Sequence, residues 1–220
     1  MISVVIPAWN AAATLAETLA SVAVQSLPAS EIIVVDDGST DATAEIARSA
    51  GATVVAQSNQ GPAAAMNTGV AAARHGLIAF LDADDLWPAG KLALQHRALT
   101  EEAGLDGVFG HVACFPDPAL DGRLHVPQDV APGWLAGTLL VRRAAVLAAG
   151  PFDAALRGSA FIDWTARARH CGLRFEMLSE TLLHRRIRFG GLGTRSSTRD
   201  AGYVAAARAA ILRRRDGSSA

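Results

Sequence analysis

Leu77-Ile78-Ala79-Phe80-Leu81-Asp82-Ala83-Asp84-Asp85-Leu86-Trp87-Pro88 is the stretch on which the fold turns. Five apolar residues run into three carboxylates and a proline closes the segment. This is the pattern of a short strand buried on both faces, as in a parallel sheet covered by helices. The acids then emerge at the strand's C-terminal end, the edge where open α/β sheets place their ligands. In a strand that continues through them, Asp82 and Asp84 project to one side, because side chains alternate with period two. Two anionic donors converging on one point repel each other, and a hard divalent cation, Mg²⁺ or Mn²⁺, shared with substrate phosphates, relieves the repulsion. A solvated turn with one Asp capping the next helix accounts for any single acid but not for all three.

Working outward, the same strand, loop, helix rhythm precedes this stretch. Ile2-Ser3-Val4-Val5-Ile6 ends at Pro7, and after the loop Ala8-Trp9-Asn10 the residues Leu15, Leu19 and Val22 recur at helical spacing. Glu31-Ile32-Ile33-Val34-Val35 runs into Asp36-Asp37-Gly38-Ser39, with Thr40 or Asp41 placed to cap a helix reaching about Ala50. Thr53-Val54-Val55-Ala56 is a third strand, and Gly61-Pro62 opens a helix that carries Asn67 and extends to about Arg74. Such alternation predicts a parallel sheet with helices on its faces, and it brings Trp9-Asn10, Asp36-Asp37 and Asp82-Ala83-Asp84 to one edge.

Downstream the rhythm changes. A helix with Leu92, Leu94 and Leu99 leads to a strand over Gly107 to Phe115. Residues 116 to 133 contain four prolines and read as a long binding loop without regular structure beyond a short turn. Thr138 to Val141 reads as a strand, Ala144 to Ala149 as a short helix, and Phe161 to Cys171 as a helix with Phe161, Trp164 and Ala168 on one face. Leu173 to Glu176 and Thr181 to His184 read as separate extended pieces. Tyr203 to Arg215 reads as a helix, followed by a disordered end.

Composition limits the classes. In 220 residues, half are apolar and the formal net charge is −1, which suits one α/β domain and gives no basic footprint for nucleic acid. Cys114 and Cys171 have no metal-type spacing, so they are expected to be core fillers in a reducing, cytoplasmic setting. The chain enters a strand directly after Met1 without a signal-peptide pattern, and no apolar run reaches the length of a membrane span. There is no G-x-G-x-x-G after the first strand and no G-x-x-x-x-G-K, which argues against dinucleotide oxidoreductases, P-loop enzymes and nucleotidyltransferases.

The motifs Val5-Ile6-Pro7-Ala8-Trp9-Asn10, Ile33 through Asp41, Asn59 through Gly69 and Phe80 through Asp85, in this order, resemble glycosyltransferase family 2. The resemblance covers the chain to about residue 190 and implies an inverting enzyme of GT-A fold. It also implies a single domain over 1–200, with a nucleotide-sugar half at 1–88, an acceptor half at 89–200, and a C-terminal helix and tail over 201–220. It places a nucleotide-sugar donor, UDP-linked in the first instance, against Pro7, Trp9, Asn10, Asp36, Asp37, Asn67, Asp82 and Ala83. Trp9 would stack on the base, Asp37 would accept the base imide N–H, and Asp82 would bind the ribose. Asp84 would bind Mn²⁺ or Mg²⁺, with His184 a second ligand, and Arg186 and Arg188 would clamp the diphosphate. Asp163 matches the Asp of the family's Glu-Asp pair and would be the general base. Ile162 replaces that Glu, Met66 replaces a frequent Arg, and Arg188 stands where a His is common.

The acceptor implied is a glycan, a lipid-linked molecule or a small molecule. A peripheral membrane location through the Arg-rich C-terminal helix is secondary to a cytoplasmic one, and a homo-oligomer is left open. The alternative function is a non-catalytic nucleotide-sugar-binding or scaffold protein of the same fold, which the three departures favour.

Overall fold

The computed structural model describes residues 1–120 and 125–189. The Arg- and Gly-containing stretch after Phe189, and the expected helix at 203–215 with its tail, lie outside them.

Three strand–helix units open the chain. β1 (Ile2–Ala8) leads to α1 (Leu15–Ala23), β2 (Glu31–Asp36) to α2 (Thr43–Ser49), and β3 (Thr53–Ala56) to α3 (Pro62–Ala72); β4 (Leu77–Phe80) follows. All pair in parallel, in the order β3-β2-β1-β4. The chain moves outward from β1 to β3 and then returns to β1's other side, so the switch point lies between β1 and β4, where a crevice opens beyond the carboxyl ends.

The second half is mixed. It comprises α4 (Lys91–Glu101), β5 (Gly107–Pro116), β6 (Ala131–Gly133), β7 (Leu140–Arg142), α5 (Arg143–Ala148), α6 (Ala160–His170) and β8 (Phe175–Ile187). β7 pairs antiparallel with β4 and with the start of β5, while β6 pairs antiparallel with the middle of β5. β8 runs parallel along the whole of β5, so β6 and β7 share β5's other edge. The result is one eight-stranded sheet.

Helices cover both faces because the inner strands are apolar in both directions. Val4, Ile6 and Ala8 of β1 face Leu15, Leu19 and Val22 of α1, whereas Val5 joins Ala65, Met66 and Val70 of α3. Gly69 makes the second contact possible: a Cβ there would lie 2.2 Å from Cγ1 of Val5. On the same side Trp164 and Ala168 of α6 pack with Phe152 and Phe109.

Four expectations change. β4 ends at Phe80, so Asp82 to Asp85 form a turn beyond the strand and do not alternate along it. The two extended pieces expected at Leu173 to Glu176 and Thr181 to His184 merge into a single strand that starts at Phe175, β8, whose pairing with β5 slips around His111. The 116–133 stretch contains a 3-10 turn at Pro118–Leu120 and the short β6, and Thr138 closes a 3-10 turn before β7 begins. Cys171 is exposed and Cys114 half-buried, so neither is a core filler, and both thiols are free.

Candidate active site

The loop after β1 is built around Asn10, which holds a positive φ of 48°, a conformation Asn tolerates better than most residues. Its side-chain oxygen accepts from the Thr40 amide at 2.8 Å, and its own amide donates to Ser39 Oγ at 2.9 Å. Asp41 accepts from Ala12 N and from Thr43 N, the latter serving the start of α2. These bonds join the loops after β1 and β2 and leave Trp9 56% exposed at the crevice mouth. A core role for Trp9 is thereby excluded. Pro7 lies in β1 opposite Val35.

The two acids after β2 are buried and organise backbone. Asp36 accepts from Ser39 N at 3.0 Å. Asp37 accepts from Gln57 Nε2 and Gln60 N on one oxygen and from Gly61 N on the other, each at 2.8 Å. Those bonds occupy three of the roughly four acceptor directions of a carboxylate, so Asp37 first of all shapes the 57–61 loop and the entry to α3. Asn67 lies on α3, as expected. Its amide donates to Phe152 O at 2.8 Å and accepts from Phe152 N at 2.9 Å, so its polar atoms are engaged with backbone before α6.

The acid turn is tied to the end of β8. Leu86 and His184 exchange backbone hydrogen bonds at 3.0 and 2.9 Å. Asp85, buried, accepts from Arg186 N at 2.8 Å. The Arg186 guanidinium donates to Asp84 O at 2.9 Å, pairs with Glu17 and lies over the Phe115 ring at 4.6 Å, which leaves its side chain 7% exposed. Arg188 is different: its Nε lies 2.7 Å from Asp84 Oδ2, and its side chain is 44% exposed. From beneath, Thr14 Oγ1 donates to Ala83 O and Thr18 Oγ1 to Asp85 O. Trp87 closes the turn by donating Nε1–H to Gly137 O at 2.8 Å.

Asp82 is exposed in the turn beyond β4. The protein around it and the charge of Asp84 nevertheless raise its carboxyl to about 6, opposed by Arg185 and Arg188. Burial, with Asp82 and Asp84 nearby, pushes Asp85 well up as well. Asp82 and Asp84 supply the hard oxygen donors that Mg²⁺ or Mn²⁺ takes. Among the described residues, however, no three His, Cys, Asp or Glu side chains form a metal-binding group. The donor set therefore fits an ion held by one or two carboxylates together with substrate phosphates, not a closed protein cage. His184, exposed on β8, is not brought into such a group with the acids.

In the mixed second half of the chain Asp163 sits in the first turn of α6, 2% exposed, with Oδ2 at 2.8 Å from Arg167 Nε one turn later. The same guanidinium donates to Ala149 O and Pro151 O, fixing α6 to the loop before it. Asp163 is the only buried carboxylate after residue 88 among the described residues.

Several contributors carried weak sequence signals. Thr14 and Thr18 are hydroxyls spaced one helical turn apart beside an apolar stripe, and Gln57 and Gln60 are unremarkable loop residues. Arg185, whose charge acts on Asp82 and Asp85, is hidden in a basic run.

An α/β sheet with a nucleotide-type crevice at its switch point, an acid turn on that edge and a mixed second half is the architecture of a GT-A glycosyltransferase. The family model for Glycosyl transferase family 2 matches residues 3–144, and the chain belongs to that family. It is 38% identical over 130 residues to the succinoglycan biosynthesis protein ExoU of Rhizobium meliloti (strain 1021), covering 56% of this chain and 36% of that one. Its fold is similar to that of the mannosyltransferase PcManGT from Pyrobaculum calidifontis, solved with GDP-Man and Mn²⁺: TM-score 0.74, 22% identity, 96% of this chain and 64% of that one. S. aureus TarS 1-349, solved with UDP-GlcNAc, gives a TM-score of 0.70 at 24% identity over 88% of this chain and 60% of that one. The chain thus spans about a third of the succinoglycan protein and under two thirds of these solved chains. No helix among the described residues is long and apolar enough to cross a membrane.

Proposed function

We propose that this glycosyltransferase transfers a sugar, with inversion, from a nucleoside diphosphate sugar to an acceptor hydroxyl. The observation that carries the reading is the acid turn Asp82–Asp85 lying against the basic end of β8 in a crevice that also exposes Trp9. A sugar nucleotide offers an aromatic base, a ribose diol and a diphosphate. Those parts call for an aromatic face, a carboxylate acceptor and cationic partners. Trp9 stacks on the base, Asp82 accepts from the ribose hydroxyls, and Arg188 contacts the diphosphate; UDP is the first nucleotide to test, since TarS is solved with UDP-GlcNAc. Asp84 would hold a divalent ion, Mn²⁺ or Mg²⁺, which would supply charge stabilisation for the departing nucleoside diphosphate. This part of the reading is supported by the donor chemistry of Asp84 and by the Mn²⁺ in the Pyrobaculum enzyme.

Asp163 takes the proton from the acceptor hydroxyl as that oxygen attacks the anomeric carbon. Its support is its position as the buried carboxylate of the acceptor half, held in a fixed rotamer by Arg167. Glycan, lipid-linked and small-molecule acceptors all present the required hydroxyl.

The test is nucleoside diphosphate release from a panel of UDP- and GDP-sugars with Mn²⁺ and mixed acceptors. Asp163→Asn is expected to lower kcat by about 10²–10⁴-fold with UDP affinity unchanged. Asp84→Asn is expected to lower kcat/KM by at least about 10²-fold. Wild-type protein that binds no nucleotide, or an Asp84→Asn variant as active as wild type, would refute the assignment.

A further inference from the structure

We infer that Arg188 is the resident counter-ion of Asp84 and that donor binding is an exchange, in which Asp84 passes to the incoming divalent cation while the guanidinium moves onto the diphosphate. The inference rests on the nucleotide-sugar reading of the site and adds a binding order to it.

Three carboxylates, Asp82, Asp84 and Asp85, occupy one turn, and three guanidinium groups, Arg185, Arg186 and Arg188, face them from the end of β8. Glu17 joins the same cluster through Arg186, so the acids outnumber the guanidinium groups by one. The cations are not equivalent. Arg186 is built into the scaffold through Asp84 O, Glu17 and the Phe115 face. Arg188 lies one residue past the end of β8, reaches the carboxylate of Asp84, and is 44% exposed. An ion pair in that setting contributes little stability, because solvent screens it and ordering the side chain opposes it.

The carboxylate it covers is the one to which the proposed function assigns the metal. A free divalent cation must therefore displace the guanidinium, and it brings no anion in exchange. A cation that arrives with a diphosphate carries the replacement anion along: the guanidinium can fork onto phosphate oxygens, a geometry it matches better than an ammonium does. A divalent cation and the doubly charged diphosphate of a sugar nucleotide add no net charge together, so the local charge is the same in both states. Metal alone is thus a poor ligand, and metal and nucleotide bind cooperatively, with a coupling that each exerts equally on the other.

The experiment titrates the full chain with Mn²⁺ alone, followed by EPR of the free ion, and with UDP in the presence and absence of Mn²⁺, followed by calorimetry. Arg188→Gln and Arg188→Lys are compared with Arg174→Gln, a surface arginine paired with Glu102, as control. Arg188→Gln is expected to bind Mn²⁺ alone about fivefold more tightly and UDP with Mn²⁺ about tenfold more weakly, so that the cooperativity between the two ligands falls. Arg188→Lys should lie between Arg188→Gln and wild type in both measurements. If Mn²⁺ affinity does not change in Arg188→Gln while UDP·Mn²⁺ still binds wild type, the exchange is wrong and the nucleotide assignment stands. If neither UDP nor UDP with Mn²⁺ binds wild type, both fall together.

Discussion

Asp37 and Asp84 each follow a parallel strand at its carboxyl end, and their sequence contexts, Val35-Asp36-Asp37-Gly38 and Leu81-Asp82-Ala83-Asp84-Asp85, look alike. Their partners separate them. Backbone and amide donors from 57–61 surround Asp37, while Asp84 meets a partly exposed guanidinium. Residue type and position were legible in the sequence because a short apolar run ending in acids fits few structures besides a buried parallel strand. The partners were not, since they come from loops whose path no periodicity encodes. Trp9 is the clearest gain at this scale. Its exposure means that Trp9→Ala should leave stability within about 0.5 kcal/mol of wild type. Loss of one base–aromatic stack should weaken UDP binding by about 1–3 kcal/mol. Calorimetry with UDP alongside a thermal melt checks both, and an unchanged UDP affinity removes Trp9 from the donor site.

Among the elements, the first three strand–helix units and β4 followed from apolar runs punctuated by Pro, Gly and Asp, with β3 legible residue for residue at Thr53–Ala56. β8 was not. Its pairing with β5 moves from Met177 opposite Phe109 to Thr181 opposite His111 and then Leu183 opposite Val112, and this irregularity breaks the alternation that identifies a strand. Its end carries the basic residues of the site, so the missed continuity also concealed how Arg186 and Arg188 reach the acid turn. Asn67 shows an element-level role in a residue expected to bind donor. It bridges α3 to the backbone at Phe152, in the segment between α5 and α6. Asn67→Ala should leave the Phe152 N–H and C=O without these partners and cost about 1–3 kcal/mol, seen as a lowered Tm or denaturation midpoint. UDP affinity should remain at the wild-type value. A variant of normal stability that fails to bind UDP would return Asn67 to the donor site.

For the molecule as a whole, a buried polar seam joins α4 to the mixed part of the sheet. Lys91 at the start of α4 is fully buried, with Nζ 2.6 Å from Gln95 Oε1 and 4.2 Å from the centre of the Trp87 ring. Gln95 donates in turn to Val108 O in β5 and Thr138 O. Burial drives the Lys91 amine well below its ordinary value of 10.5, because the charged form loses its hydration and has no carboxylate partner in this network. In the unfolded chain the same lysine titrates near 10.5. Between the folded and unfolded pKa values the unfolded state therefore holds the extra proton, and folding stability rises with pH across that interval. Lys91 thus favours the folded state fully only above about 10.5, and this contribution is lost as pH falls through the lower folded value. Lys91→Met removes the titration while keeping an unbranched side chain of similar length. Urea denaturation of both proteins at a series of pH values from about 6 to about 10 isolates the effect, because the other titrating groups are common to both. The stability of wild type relative to Lys91→Met should rise on the alkaline side by up to about 1.4 kcal/mol per pH unit and flatten at low pH. A difference independent of pH throughout that range would show that the Lys91 amine keeps an ordinary pKa in the folded protein.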